Sequence, residues 1–253
     1  IVQPRKLTII TMLLSAPHVA VAIGLTFLVA PSGWVFRLLA IVLDFETPPD
    51  IFIINDPLGL SLVVGLVIKE VPFLIFVILA SVTQIPVKRH LCEARALGYD
   101  LTTCWIRIIV PQTWPLVRLP VFVVLAYSLA NVEMAIILGP ANPPVLSVLL
   151  MRMFLSPDVT LLAPASAGAL LQVVLVLAVF VIFYVLEVWI RFFGKIWISL
   201  GNRTTIFSII FPWMVQFSFC VMLLGCFALF LSGVWSFASG WRWPSVFPET
   251  VST

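Results

Sequence analysis

Charge is scarce in this sequence: Asp, Glu, Lys and Arg together make up 10% of 253 residues, and there are two histidines, His18 and His90. The four cysteines, Cys92, Cys104, Cys220 and Cys226, form no CxxC pair and no metal-ligand spacing. They are read as free thiols, and neither a disulfide framework nor a metal site is expected. A Gly-rich loop ending in Lys-Ser or Lys-Thr is lacking, as are GxSxG and HExxH. Those motifs place the groups that phosphate binding, acyl transfer and zinc proteolysis require. No catalytic residue is therefore assigned, and no cofactor is expected on this chain.

Apolar residues fill the space that charge leaves. They make up 62% of the chain, with a mean hydropathy of +1.19, and several runs exceed the roughly 20 residues that cross a bilayer as a helix. The expected class is all-α, a polytopic transmembrane helical bundle of about five spans. Four spans are placed at about 7–30, 58–84, 115–138 and 161–187, within a core domain of 1–187; a linker follows at 188–204, then a fifth span and external tail at 205–253. Pro17 and His18 interrupt the first span, so a kink is expected there, with His18 as a capping or kink-filling group. The run 34–43 is too short to span and is read as an interfacial helix, and 145–155 as a short helix in a proline-containing loop. Trp235, Trp241 and Trp243 are read as an aromatic belt.

Basic residues divide unequally across this threading. Arg5, Lys6, Lys88, Arg89, Arg95, Arg107, Arg118, Arg191, Lys195 and Arg203 fall on one side, and Arg37, Arg152 and Arg242 on the other. By the positive-inside rule the first side is cytoplasmic, which puts the N-terminus and the segment 88–111 there. The sequon Asn202-Arg203-Thr204 falls on that same side and carries no weight as a glycosylation site.

Within the spans a few polar residues stand out. A carboxylate in hydrocarbon costs several kcal/mol unless it meets a partner or a wet cavity, so Glu133, with Asn131 two residues before it, is expected to face the interior. Its alternatives are a place on a translocation path and a structural hydrogen bond. Lys69 and Glu70 are adjacent and therefore point about 100° apart on a helix, so at least one must meet another helix. Glu133 is a candidate partner for Lys69.

The segment 88–111 reads KRHLCEARALGYDLTTCWIRIIVP and is rich in charge between two apolar runs. Gly98 is expected to break one helix, and a second is expected to run from about Thr103 to Pro111, giving a helix–turn–helix outside the bilayer. The spacing from Gly98 through Ile108 and Ile109 to Val110 and Pro111 resembles the cytoplasmic coupling loop of binding-protein-dependent ABC importer permeases, the MetI-like family. There the pattern opens with Glu-Ala-Ala; here Cys92, Glu93 and Ala94 occupy those places, so the carboxylate stands one residue later, about 100° around the helix. The phrases PHVAVAIGLTFLVAPSGW, DPLGLSL and KEVPF resemble more narrowly the first half of fused double permeases of the Ynj, thiamine and ferric-iron types.

That resemblance implies a transport subunit of a bacterial inner membrane and not an enzyme. It implies separate ATPase subunits that bind ATP and Mg and push on the coupling loop, through Cys92, Glu93, Ala94, Gly98, Ile108 and Pro111. It further implies a periplasmic binding protein that delivers a small solute. As polar groups within spans, Lys69, Glu70, Asn131 and Glu133 are candidate translocation-path residues, the alternative for Lys69 and Glu70 being an interhelical polar contact that fixes packing. One coupling loop is half of what such a pore needs, so a second permease half, fused downstream or separate, is expected. The competing class is an ion-coupled secondary transporter using Lys69, Glu70 and Glu133. A membrane-embedded scaffold subunit, needing only packing from these spans, is a third.

Overall fold

A computed structural model describes residues 4–199 and 207–251. Arg203 and the sequon at Asn202 lie outside the described residues. In chain order the helices are α1 (Pro4–Ser15), α2 (His18–Val29), α3 (Trp34–Leu43), α4 (Leu60–Val82), α5 (Val87–Ala96) and α6 (Leu101–Cys104). A π turn (Trp105–Ile109) leads into α7 (Val110–Ala130), followed by α8 (Glu133–Leu138), α9 (Leu146–Phe154), α10 (Leu162–Ser199) and α11 (Phe207–Ser236). A short antiparallel pair, β1 (Ala238–Gly240) and β2 (Thr250–Val251), closes the chain. Among the described residues five segments are long and apolar enough to cross a membrane, namely His18–Leu43, Leu60–Val82, Leu101–Ala130, Val159–Trp197 and Ile209–Ser236. The all-α, polytopic class expected from composition is the one observed.

The chain forms two compact units. One comprises Ile1–Pro72, Asn131–Ala165 and Val221–Thr253; the other comprises Phe73–Ala130 and Ser166–Cys220.

In the first unit the core is built from Val21, Ala22 and Leu25 of α2, Ile68 of α4, Met134 and Leu138 of α8, and Val221 and Ala228 of α11. Helix α2 approaches α11 at a glycine: a Cβ on Gly24 would lie 2.2 Å from the Ala228 carbonyl oxygen. Phe27 stacks on Trp235 with centroids 4.1 Å apart, and Trp34 meets Phe227 edge-on at 5.4 Å. The expected kink at Pro17 is a full break. Pro17 is extended (φ −67°, ψ 151°), and its carbonyl accepts from the Ala20 and Val21 N–H groups at 3.1 and 3.4 Å to start α2.

The loop before α4 is tied down by its own polar groups. The Asp56 carboxylate accepts from the Leu60 and Ser61 N–H groups at 2.7 and 2.9 Å and from the Ser61 hydroxyl at 2.7 Å, capping the first turn of α4. Asn55 donates to the Gly139 carbonyl at 2.6 Å, which fastens the loop to the end of α8. Burial alone would raise the Asp56 carboxyl, but the hydrogen bonds from Ser61 and Leu60 together outweigh it and hold it below its ordinary range. Its contribution is therefore complete above about pH 4 and lost as pH falls through the lowered folded value. Asp56→Ala is expected to cost about 1 kcal/mol at neutral pH. The gap in thermal midpoint between wild type and variant in detergent should narrow on acidification.

Arg37, which is 3% exposed, joins α3 to the chain after α11. Its guanidinium donates to the Arg242 and Ser245 carbonyls at 2.8 Å each and to the Trp241 carbonyl at 3.2 Å, while Nε donates to Ser32 at 2.9 Å. The rings of Trp235, Trp241 and Trp243 lie 5.3 to 6.0 Å from it. The tryptophans expected as a membrane-surface belt thus surround a cation, a contact their rings favour.

In the second unit α7 packs on α10. Phe122 meets Phe180 and Phe183 edge-on at 4.9 and 5.5 Å. Glu187, 6% exposed, accepts from Trp114 Nε1 at 2.8 Å and forms ion pairs with Arg118 at 3.0 Å and with Arg191 one turn along its own helix. Helix α10 runs 38 residues, so Arg191 and Lys195, expected in a linker, lie on the helix. No proline falls between Pro164 and Pro212 to stop it, and the Glu187–Arg191 pair supports it at i,i+4.

Candidate functional site

The charged segment forms the helix–turn–helix its glycine suggested. Helix α5 ends in a Schellman turn: the Gly98 N–H donates to the Arg95 carbonyl at 2.9 Å, and the Tyr99 N–H reaches back to the Ala94 carbonyl at 3.2 Å. That pattern places Gly98 in the left-handed region, at φ 83°, where a side chain costs about 1 kcal/mol or more. Asp100 then caps α6 by accepting from the Thr102 N–H at 3.3 Å.

Contrary to the expected stop at Pro111, the helix continues. The π turn Trp105–Ile109 widens the coil immediately before the proline, and the Thr113 hydroxyl lies within hydrogen-bond distance of the Ile109 and Val110 carbonyls, at 3.1 and 3.0 Å. A wider turn relieves the clash between a proline ring and the preceding turn that would otherwise end a helix.

Within this element the six candidate coupling residues fall in different environments. Ala94 is buried under the Schellman turn, Ile108 is half-buried, and Cys92, Glu93, Gly98 and Pro111 are exposed. Glu93 accepts from Arg89 Nε at 2.8 Å across one turn and lies 3.8 Å from His90 Nδ1. The Arg89 hydrogen bond is the chief reason its carboxyl sits below the ordinary glutamate range. Around it Leu97 and Leu101 are 67% and 49% exposed, so the turn presents apolar and charged groups side by side.

The four candidate path residues belong to the first unit. Lys69 is buried, and its ammonium donates to the carbonyls of Leu13, at 2.6 Å, Leu14, at 3.2 Å, and Ala16. These are orphan carbonyls at the end of α1, freed by the break at Pro17. An ammonium has three donors, and all are used here, so Glu133 is not its partner. Glu70 lies 3.4 Å from His18 Nε2, at the first position of α2. Lys69 thus holds the end of α1, and Glu70 lies against the start of α2. The Asn131 side chain accepts from the Met134 N–H at 2.9 Å, and its carbonyl accepts from the Ser147 hydroxyl at 3.1 Å. That local bond competes with helix continuation, so α7 ends at Ala130 and α8 starts anew. Glu133 stands exposed at the first position of α8, not turned into the unit; the buried member of the pair is Asn131.

Sequence reasoning did not find the Arg37 clamp or the Lys69 contacts with α1. A signal for the second was present: Pro17 leaves carbonyls that need donors, and Lys69 is a basic residue near the centre of a span. For Arg37 no local signal existed, because three of its four acceptors are more than 200 positions away.

A π-interrupted helix–turn–helix preceding a membrane-length helix, and apolar helices throughout, define a polytopic α-helical membrane protein. No family model matches the chain, and no solved structure matches it. The chain is similar to the inner membrane ABC transporter permease protein YnjC of Escherichia coli (strain K12), with 30% identity over 174 residues, 69% of this chain and 32% of that protein. It thus spans about a third of the length of that relative.

Proposed function

We propose that this chain is a membrane-spanning permease subunit of an ABC importer, and that the turn at Gly98 is where a separate ATPase docks. One observation carries this reading: a glycine-centred helix–turn–helix, with Leu97, Leu101, Cys92 and Glu93 exposed on it, joins two helices of membrane-spanning length. Similarity to a transporter permease supports it. The chain is then a transport subunit without catalytic residues of its own, and ATP with Mg is bound and hydrolysed on the partner. The surplus of bases on one side of the threading puts the coupling turn in the cytoplasm of a cell with an inner membrane. A periplasmic binding protein delivers a small solute to the other side, and a second permease half, fused or separate, completes the pore. Transport proceeds by alternating access as the two halves move under the ATPase. The ion-coupled alternative is less well supported, since Lys69 has all its donors engaged by the end of α1.

The test is Gly98→Val. Forcing a β-branched residue to φ 83° distorts the turn while leaving the helices alone. Stimulation of the ATPase by loaded binding protein in proteoliposomes is expected to fall to the unstimulated level; normal stimulation removes the turn from the mechanism. Thiol labelling of Cys92 reports docking independently, and its rate should drop several-fold when the ATPase is bound. Glu93→Gln, which removes an exposed charge, should weaken ATPase assembly more at low salt than at high salt.

A further inference from the structure

We infer that the stripe where α7 faces α10 in the second unit is a binding site for the phosphate headgroup of an anionic membrane phospholipid. Glu187, Arg191 and Lys195 recur every four residues on α10 and so share one face. Opposite them, on the π turn and α7, stand Arg107, Trp114 and Arg118. Four bases therefore line a stripe that holds one acid, and two of them, Arg118 and Arg191, pair with it. Glu187 is already engaged by Trp114, Arg118 and Arg191, and a single carboxylate cannot neutralise the arginines around it. The Arg118 and Arg191 side chains remain 37% and 56% exposed, and Lys195 is exposed. Further along, Arg107 lies 4.3 Å from the Trp197 ring and keeps its buried Nε–H without an acceptor among the described residues. The stripe from Glu187 to Trp197 is about 15 Å long, enough to reach from the edge of the hydrocarbon into the headgroup layer.

The flanks select the source of the phosphate. Trp189, Ile190, Phe192 and Phe193 are 55 to 71% exposed beside the bases, and none of the most apolar stretch of this segment is buried. Guanidinium groups that bind phosphate oxygens in pairs, set in a surface made for acyl chains, fit a phospholipid rather than a soluble anion.

The experiment reconstitutes the full chain into nanodiscs of mixed phosphatidylcholine and phosphatidylglycerol, releases it into mild detergent, and counts retained lipids by native mass spectrometry. Wild type is expected to retain phosphatidylglycerol well above its share of the mixture. Arg191→Gln with Lys195→Gln leaves Trp114 and Arg118 to hold Glu187, and should lower that preference about fivefold or more for each base removed. Lys88→Gln with Arg89→Gln, bases on α5 outside the stripe, should leave it unchanged. Retention of the two lipids in their mixing ratio by wild type overturns the inference whether or not the variant folds. So does an equal loss in the α5 variant, which would mark a diffuse charge effect, or displacement of the lipid by inorganic phosphate at matched ionic strength, which would mark a soluble-anion site. ATPase coupling plays no part in the readout, so this site and the docking turn stand or fall separately.

Discussion

Replacing Lys69 by methionine is expected to destabilise the first unit by about 3 kcal/mol or more, because it strands buried polar groups. Three carbonyls at the end of α1 accept from this one ammonium, and no N–H of α2 replaces it, since Pro17 separates the helices. The charge is favourably placed, since a cation at a helix C-terminus meets the negative end of the backbone dipole, and carbonyls with a neighbouring Glu70 compensate for its removal from water. Methionine matches the length of the stem and offers no donor. Hydrogen exchange of the full chain in detergent should show the loss first at residues 8–15, with the thermal midpoint falling by several degrees. Lys69→Arg, which keeps charge and donors, should recover part of it. An unchanged midpoint and unchanged protection in Lys69→Met would mean that the carbonyls are satisfied by something other than Lys69.

Gly24→Val is the second large effect. A Cβ there would lie 2.2 Å from the Ala228 oxygen, 2.5 Å from its carbonyl carbon and 2.8 Å from the Ser232 hydroxyl. The nearest obstacle is backbone, which cannot rotate away as a side chain can. Helices α2 and α11 must separate, and Val21, Leu25 and Ala228 lose their contacts together, so a cost beyond the usual 1–3 kcal/mol of overpacking is expected. The yield of monodisperse protein and its thermal midpoint check this. Gly194→Ala is the control: nothing lies within 4 Å of the added carbon, and the helix should gain up to about 1 kcal/mol from the better helix former.

The parts of this protein that could be read from its sequence rest on local chemistry. Residues 34–43 form a helix of their own, α3, as expected, because Pro31 and Gly33 interrupt the chain just before a ten-residue apolar run. Residues 145–155 contain α9 for the same reason. Gly98 announced the turn, since a Schellman ending needs a residue that takes positive φ cheaply. Signals that depend on what the next element offers were misread. Pro111 looked like a stop, and a π turn absorbed it. Glu133 looked like the interior group of its span, and Asn131 took that place by bonding its own backbone.

Local sequence was enough for the class, an interruption at Pro17 and the glycine turn, because each follows from hydrophobicity or from backbone preference over a few residues. Where the charges go was settled by packing between distant segments. A side chain's partner is set by what lies across the packing interface and not by what is adjacent in sequence: Lys69 found the loose end of α1, Arg37 found carbonyls more than 200 positions away, and Glu187 found Arg118 and Trp114 on another helix. In a chain with so few charges, burying one requires several acceptors or donors at once. That convergence exists only when distant segments are packed together.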